Sequence, residues 1–259
     1  MSRLLALTRA VPESIVRCEL THVARAPIEL ARARAQHAVY ERALEAAGCE
    51  VVRLPALPEH PDSVFVEDVA VVLDEIAIAT QPGARSRRGE VDSVAAALAA
   101  HRRVLRLVGE ATLDGGDVLA LDRRLFVGLS QRTNLEAVRQ LRELVAPHGY
   151  TVAAIEVTGA LHLKTAITCA GERTLVVNLR WVDARPFTDW ERVEVDPREP
   201  FAANVLRVRD TTLCAAAFPR TNERLSARGI SVASVDASEL AKAEGGVTCC
   251  SVLVEDLPR

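Results

Sequence analysis

The sequence has few aromatic residues and little net charge. Aromatic residues make up 3% of the 259 residues, and the formal net charge is -3. A protein that binds nucleic acid needs basic side chains to neutralise phosphates, and single-strand binders also need aromatic side chains on which bases stack. We therefore expect no nucleic acid partner.

The chain also lacks a long apolar run. No stretch approaches the ~20 apolar residues of a membrane-spanning helix. The apolar part of the N-terminal "MSRLLALTRAVPES" is too short, and its second arginine too early, for a secretory signal. These absences predict no membrane association and a cytoplasmic location.

Cysteine pairs with metal-site or redox spacing are missing. No two cysteines form a C-x-x-C pair, and 49% of the residues are apolar, so the chain can bury a core without disulfide bonds. We expect free thiols throughout. Two of them, Cys249 and Cys250, are adjacent in "GGVTCCS".

Five short segments share one pattern, in which a polar or small residue precedes an alternating or apolar run. They are "VEDVAVV", "GGDVLAL", "HLKTAIT", "AANVLRV" and "TCCSVLV". Their marker residues are 49, 47, 40 and 46 residues apart, at Asp68, Asp117, Lys164, Asn204 and Cys250. A period in this range predicts repeated supersecondary units.

The second unit shows the content of the repeat. "GGDVLALDRRLFVGL" predicts two strands around a turn. Thr133 and Glu136 have the spacing of a capping box, and Leu135, Val138 and Leu141 follow at helical spacing. The strand "YTVAAIEV" then completes a ββαβ unit.

The fifth unit is divided between the two ends of the chain. Its first strand, "CCSVLVED", is C-terminal, whereas a matching helix, "ELARARAQHAVYERALEAAG", and strand, "CEVVRLPAL", are N-terminal. We therefore predict one catalytic domain, residues 1–259, that forms a five-bladed α/β propeller of ββαβ units around a pseudo-fivefold axis, closed by the N- and C-terminal segments. One sequential α/β sheet with parallel strands is the alternative.

In such a ring the first strand of each unit lines the axis, so its polar residues converge on one central site. Charges in apolar strands are costly unless pairing or function retains them. Paired carboxylates suit the planar donors of a guanidinium group. The alternative for Glu67, Asp68 and Lys164 is a buried ion-pair network. The residues concerned are Glu67 and Asp68, Asp114 and Asp117, and His162 and Lys164.

Hydrolysis of a guanidinium group requires a strong nucleophile and an acid for the leaving amine, which a cysteine and a histidine supply. A bound cation would lower the pKa of the thiol. Matching of valine faces on the last strand directs Cys249 to the axis, whereas matching of raw spacings favours Cys250. A metal site of both cysteines with His162 needs both thiols on one side of the strand, which strand alternation opposes.

Six motifs resemble one known family. They are "PDSVFVEDVAVV", "PGARSRRGEVD", "ATLDGGDVL", "LFVGLSQRTN", "GALHLKTAITCAG" and "GVTCCSVLV". In order and spacing they are similar to the dimethylarginine dimethylaminohydrolases of the guanidino-group-modifying, or pentein, superfamily. The resemblance implies a five-unit propeller and hydrolysis of asymmetric dimethylarginine or monomethylarginine to citrulline and a methylated amine, without a cofactor or metal.

The same resemblance implies a role for each matching residue. It makes Cys249 the nucleophile that forms a thiouronium intermediate, His162 the acid and then the base, and Asp114 the carboxylate that holds His162. The implied substrate contacts are Asp68 and Glu67 for the guanidinium group, Arg87 and Arg132 for the carboxylate, and Asp62 with the backbone of Leu20 for the amino group. The segment "RSRR" around Arg87 also fits a solvated basic loop.

One departure separates the chain from arginine deiminases, a related class. Those enzymes carry H-x-D where this chain has "HLK", so Lys164 removes a second carboxylate that an unmethylated guanidinium would use. A deiminase that releases ammonia and a non-catalytic guanidino-binding module are the alternatives. The sequence leaves a monomer and a homodimer both open.

Overall fold

The computed structural model describes residues 2–256, so residues 1 and 257–259 of the predicted domain lie outside the described part. Within that part, fifteen strands form five sheets of three strands each. The strands are β1 (Leu4–Arg9), β2 (Glu50–Leu54), β3 (Ala70–Val72), β4 (Ile76–Ala79), β5 (Arg103–Arg106), β6 (Val118–Leu121), β7 (Arg124–Leu129), β8 (Thr151–Glu156), β9 (Ile167–Cys169), β10 (Thr174–Val177), β11 (Glu191–Glu194), β12 (Leu206–Val208), β13 (Thr211–Ala215), β14 (Ser231–Val235) and β15 (Val252–Glu255). The helices are α1 (Leu30–Ala46), α2 (Val91–Leu98), α3 (Leu135–Val145), α4 (Leu163–Ala166), α5 (Pro219–Ser226) and α6 (Ser238–Ala241).

All five sheets have the same topology. The first two strands of each sheet are antiparallel, and the third is parallel to the second, as in β3, β4 and β5. A parallel pair requires a crossover connection, which α2, α3, α5 and α1 supply in four sheets. The predicted five-unit α/β propeller of ββαβ units is confirmed, and the alternative of one sequential sheet is wrong.

The fifth sheet contains both ends of the described chain. β15 pairs antiparallel with β1, with Leu4 opposite Glu255, and β1 pairs parallel with β2. No element is predicted for residues 4–9, yet all six residues of β1 are buried. A strand buried on both faces shows a continuous apolar run instead of alternation, so "LLALT" is readily overlooked as a strand.

Helix α3 shows where the local prediction is wrong by one residue. Asn134, and not Thr133, is the N-cap, because the Asn134 side chain accepts a hydrogen bond of 2.9 Å from the N–H of Ala137. The Thr133 hydroxyl instead donates to Asp117, at 2.6 Å. Both residue types cap helices well, so the choice between neighbours depends on which side chain has another partner.

Residues of β3, β6, β12 and β15 line a common cavity of about 210 Å³. The first strands of four sheets therefore face the centre of the ring, as the repeat predicts. The described helices include none that combines the length and the apolar character needed to cross a bilayer.

Leu141 tests the packing of α3 on its sheet. Its side chain is fully buried, whereas Leu135 on the same helix is 66% exposed. We expect Leu141→Ala to lower the free energy of unfolding by about 2–5 kcal/mol, since it removes buried methyl groups and leaves a cavity. Leu135→Ala is the matched control and should change it by less than about 0.5 kcal/mol. Chemical denaturation of both variants measures the difference, and equal losses would contradict the packing.

Candidate active site

The predicted reactive residues lie in short turns just before the first strands of four sheets. The prediction that they lie within those strands is wrong. The residues are Glu67 and Asp68 in the 3₁₀ turn Val66–Val69 before β3, Asp114 beside the turn Gly115–Asp117 before β6, His162 before α4 and β9, and Cys249 in the turn at residues 247–250 before β15. A turn can direct several successive side chains to one side, which a strand cannot.

Two glycines allow these turns to approach one another. A Cβ atom on Gly115 would lie 2.0 Å from the carbonyl oxygen of Glu67. On Gly116 it would lie 2.6 Å from Nδ1 of His162 and 2.8 Å from Oδ1 of Asp68. Since no side chain fits in these gaps, the "GGD" motif is required for the carboxylates and the histidine to meet.

The turns converge on a small cavity of about 20 Å³, here called the reactive cavity. Its lining includes seven of the predicted site residues: Asp62, Asp68, Arg87, Asp114, Arg132, His162 and Cys249. A second, mainly apolar cavity of about 160 Å³ adjoins it and shares Leu161, Glu244 and Cys249 with it. The thiol thus lies between a charged and an apolar space.

His162 is buried between carboxylates. Its Nε2 atom lies 3.0 Å from Oδ2 of Asp114, and its Nδ1 atom lies 3.7 Å from Oδ1 of Asp68. Burial disfavours a charged imidazole, but the charge of Asp68, the hydrogen bond to Asp114 and the charge of Asp117 together raise the pKa of His162 to about 9. The ring is therefore an imidazolium at neutral pH, held by Asp114 and able to donate a proton.

Asp68 is a buried carboxylate with several donors. It accepts hydrogen bonds from Arg87 and from the N–H of Gly116, the latter at 3.2 Å. Burial raises the pKa of Asp68, but the charges of His162 and Arg87 outweigh burial and hold the pKa below its usual value. Asp68 is therefore ionised in the cavity and available to a cationic ligand.

Arg87 is more strongly bound to the protein than its implied role suggests. The side chain is buried, and all three guanidinium nitrogens already donate, to the carboxylates of Asp68 and Glu90 and to the carbonyl oxygens of Asp62 and Phe65. The solvated basic loop is therefore wrong for Arg87. Because a guanidinium group has five N–H bonds, at most one Nη1 hydrogen remains for a substrate.

Asp117, one of the polar residues expected at the centre of the ring but given no role by the resemblance, is a structural partner of the site. It accepts hydrogen bonds from Ser130 and Thr133, each 2.6 Å, and from the N–H of Leu163, 2.9 Å. The last contact fixes the chain directly after His162. Burial raises the pKa of Asp117 to about 6, against the effect of His162 and these donors. Its position three residues after Asp114 in "DGGD" is the sequence signal for it.

Glu67 does not line the reactive cavity but supports the cysteine turn. Its carboxylate binds Nζ of Lys164 and the hydroxyl of Thr248, each at 2.7 Å. Its backbone N–H donates to the carbonyl oxygen of Cys249 at 3.2 Å. Of the alternative network of Glu67, Asp68 and Lys164, the pair of Glu67 with Lys164 is therefore present, while Asp68 pairs with Arg87.

The two adjacent cysteines have different surroundings. Cys249 lines both cavities, and its sulfur accepts a hydrogen bond from the N–H of Gly246 at 3.3 Å. Cys250 is buried in an apolar cluster that includes Tyr40. Burial and the charges of Glu67 and Asp68 raise the pKa of the Cys249 thiol to about 12. Strand alternation does not distinguish the two cysteines, since both lie in a turn. It is nevertheless Cys249 that lines the reactive cavity.

The implied binding site for the amino acid end of a substrate is partly filled by the protein. Asp62 accepts a hydrogen bond of 3.2 Å from the N–H of Glu19, and burial raises the pKa of Asp62. Nη2 of Arg132 lies 3.6 Å from the Glu19 carboxylate. Leu20 packs against the apolar core, while Glu19 lines the reactive cavity.

A metal ion would find three possible donors here. Atoms of Asp68, Asp114 and His162 lie within 4.8 Å of one another. However, His162 is already bound to Asp114 and Arg87 to Asp68, so protein cations neutralise these carboxylates. The trio of Cys249, Cys250 and His162 is not assembled, because Cys250 lies in the apolar core.

Comparison with known proteins finds similar enzymes over most of the chain. The N(G),N(G)-dimethylarginine dimethylaminohydrolase of Streptomyces coelicolor is 38% identical over 253 residues, 97% of each chain. The Pseudomonas aeruginosa protein of the same name is 34% identical over 226 residues, 86% of this chain and 89% of that one. A crystal structure of a mutant of the latter with citrulline has a TM-score of 0.93 at 31% identity, covering 98% of this chain and 100% of that one.

The fold and the arrangement of the site define an α/β propeller of the pentein class. The family model for N,N dimethylarginine dimethylhydrolase, eukaryotic, matches residues 21–254. The chain belongs to the dimethylarginine dimethylaminohydrolase family, and the resemblance seen in its six motifs is confirmed.

The pairing of His162 with Asp114 can be tested by titration. We expect the His162 imidazole to titrate with a pKa near 9 in the free protein and the pKa to fall in Asp114→Asn, since the ionised partner that favours the imidazolium is lost. NMR of the imidazole protons measures both values, and the His162→Gln spectrum assigns the resonance. A His101→Gln variant, altered at a partly exposed histidine, is the control. An unchanged pKa in Asp114→Asn would show that Asp114 does not hold the proton.

Proposed function

We propose that this chain hydrolyses Nω-methylated arginines, asymmetric dimethylarginine and monomethylarginine, to citrulline and dimethylamine or methylamine. The observation that carries the proposal is the meeting of Cys249, His162 with Asp114, and the ionised Asp68 around one cavity. Relatives at 34% and 38% identity bear the name of this activity, which supports the substrate class.

In the proposed reaction, Asp68 binds the substrate guanidinium group beside the Cys249 thiol. The bound cation offsets the negative charges that help to hold the thiol protonated, so the thiol proton passes to solvent water and the thiolate attacks the guanidinium carbon. His162 then donates a proton to the methylated amine, and the carbon–nitrogen bond breaks. The product of this half-reaction is a thiouronium group on Cys249.

The second half-reaction uses the same histidine in the opposite direction. After loss of its proton to the amine, neutral His162 accepts one from a water molecule, which adds to the thiouronium carbon. Collapse of the adduct breaks the carbon–sulfur bond, restores the thiol and releases citrulline. Asp114 binds the imidazole through both steps and stabilises its charged form. No cofactor takes part in these proposed steps.

Two features favour a methylated over an unmethylated substrate. The Glu67 carboxylate is occupied by Lys164 and Thr248, so Asp68 is left as the ionised partner for the guanidinium donors. The apolar cavity beside Cys249 offers space for methyl groups. A substrate nitrogen that carries methyl groups in place of N–H bonds needs fewer acceptors, which suits this arrangement.

The proposal extends to the setting of the protein. We infer one catalytic domain of residues 1–259, a cytoplasmic location, and no nucleic acid or membrane partner. Six free cysteines support a reducing compartment. A monomer and a homodimer both fit the proposal.

Substitution of the two cysteines tests the proposed nucleophile. We expect Cys249→Ser to lower citrulline release from asymmetric dimethylarginine to less than about a thousandth, because the thiolate is lost. Cys250→Ser is the matched control and should keep at least half of the activity. The opposite result would overturn the assignment. Ammonia release from arginine without turnover of the methylated substrate would indicate a deiminase, and ligand binding without either reaction would indicate a binding module.

The effect of the substrate on the thiol gives a second test. In His162→Gln, in which turnover is blocked, bound monomethylarginine should lower the pKa of Cys249 by about one to three units, as an opposite charge does at short range. Thiolate absorbance against pH, with and without ligand, measures the pKa. The same titration of the double variant His162→Gln, Cys249→Ser gives the absorbance of the other thiols, which is then subtracted. A pKa that does not move on binding would exclude substrate-assisted ionisation.

A further inference from the structure

Residues 18–29 form a segment without helix or strand, here called the strap. One strap residue, Glu19, lines the reactive cavity together with His162 and Cys249. The resemblance assigns no role to Glu19. Its contacts, however, are to residues that the proposed function needs.

Glu19 presents an N–H donor and a carboxylate to the protein, in place of the ammonium and carboxylate groups of an amino acid substrate. Its backbone N–H donates to Oδ2 of Asp62 at 3.2 Å, where the substrate amino group is expected. Its carboxylate lies 3.6 Å from Nη2 of Arg132, where the substrate carboxylate is expected, and also accepts a hydrogen bond from the Ser86 hydroxyl. Both ends of the amino acid site are therefore occupied by one residue of the same chain.

A second contact holds the strap over the cavity. The Glu244 carboxylate accepts hydrogen bonds from the successive N–H groups of Thr21, His22 and Val23, the first at 2.9 Å and the last at 2.8 Å. Glu244 directly precedes the Gly245 and Gly246 pair that leads to Cys249. Glu19 is thus part of a fixed arrangement that also includes the nucleophile loop.

Arg87 has at most one N–H bond free for a substrate carboxylate, whether or not Glu19 is in place. Its three nitrogens already donate to protein acceptors, so Arg132 is the main cation for a substrate carboxylate. An incoming carboxylate must then replace Glu19 beside Arg132, since two carboxylates next to one guanidinium group repel each other.

We propose that Glu19 is a specificity-determining residue that competes with the α-carboxylate of the substrate for Arg132. This inference rests on the proposed function of the site. Glu19 raises the KM for substrates that carry a free α-carboxylate. It does not change the KM for substrates that lack this group. Glu19 therefore reduces the preference of the enzyme for substrates with a free α-carboxylate over guanidino compounds whose carboxylate is absent or blocked.

The test compares Glu19→Gln with the unaltered protein on two substrates, monomethylarginine and its α-carboxamide. We expect Glu19→Gln to lower the KM for monomethylarginine about two- to fivefold, the range of a partly exposed ion pair, with kcat within twofold. The KM for the carboxamide should not change. A matched control is Glu13→Gln, since Glu13 also pairs with an arginine, Arg34, at 3.6 Å but lies away from the cavity.

Three results would overturn the inference. A higher KM in Glu19→Gln would show that Glu19 helps to bind the substrate instead of competing with it. Equal KM values for both proteins would show no competition. An equal change for both substrates would show an effect unrelated to the carboxylate.

Binding measured without turnover separates this inference from the proposed function. Calorimetric titration of monomethylarginine into Cys249→Ser, with and without Glu19→Gln, reports the competition alone. Suppose that the double variant binds monomethylarginine more tightly but the unaltered protein releases no citrulline. These results would support the role of Glu19 and overturn the proposed reaction. Citrulline release by the unaltered protein, together with equal affinities of the two variants, would support the proposed reaction and overturn the role of Glu19. No binding to either variant would also overturn the role of Glu19.

Discussion

The carboxylate of Asp68 lies buried between two cations, the Arg87 guanidinium and the His162 imidazolium. A buried charge costs several kcal/mol unless it is paired. The ionised states of Asp68 and His162 therefore support each other, and Arg87, which is always charged, stabilises the Asp68 carboxylate. This network explains why His162 retains its proton although it is buried. It also explains why Arg87 is directed inward from a loop whose sequence is that of a solvated surface.

Burial and the charges of Glu67 and Asp68 raise the pKa of the Cys249 thiol. In the proposed reaction, a cation bound to Asp68 offsets the contribution of these charges and favours the thiolate. Attack then requires a substrate with a positive charge at the right place. A resting thiol in the free protein is also protected from oxidation, which depends on thiolate character.

Short turns before the strands, and not the strands themselves, make this arrangement possible. Charged side chains inside a β-strand would alternate between two faces and could not all reach one cavity. Placed before the strands, they meet at one end of the ring axis, and the strands that follow can be apolar. Gly115 and Gly116 then bring two such turns into contact.

Several site residues were recognisable from the sequence, but for reasons that the structure corrects. Alternation on a strand favoured Cys249, whereas the residue lies in a turn and differs from Cys250 by which side of that turn faces the core. Thr133 matched a capping box, yet Asn134 caps the helix because Asp117 takes the Thr133 hydroxyl. The family resemblance implies Arg87 as a substrate ligand but cannot show that its donors are already bound.

The sequence by itself determined the repeat, the apolar strands other than β1, the family and the set of polar residues that could carry the chemistry, because these depend on local composition and spacing. Only the tertiary structure decided which charges pair. The contacts of Glu67 with Lys164, of Asp68 with Arg87 and His162, and of Glu19 with Arg132 join residues that are far apart in the chain or on different turns. Their partners, burial and protonation depend on distances that exist only after the ring has closed.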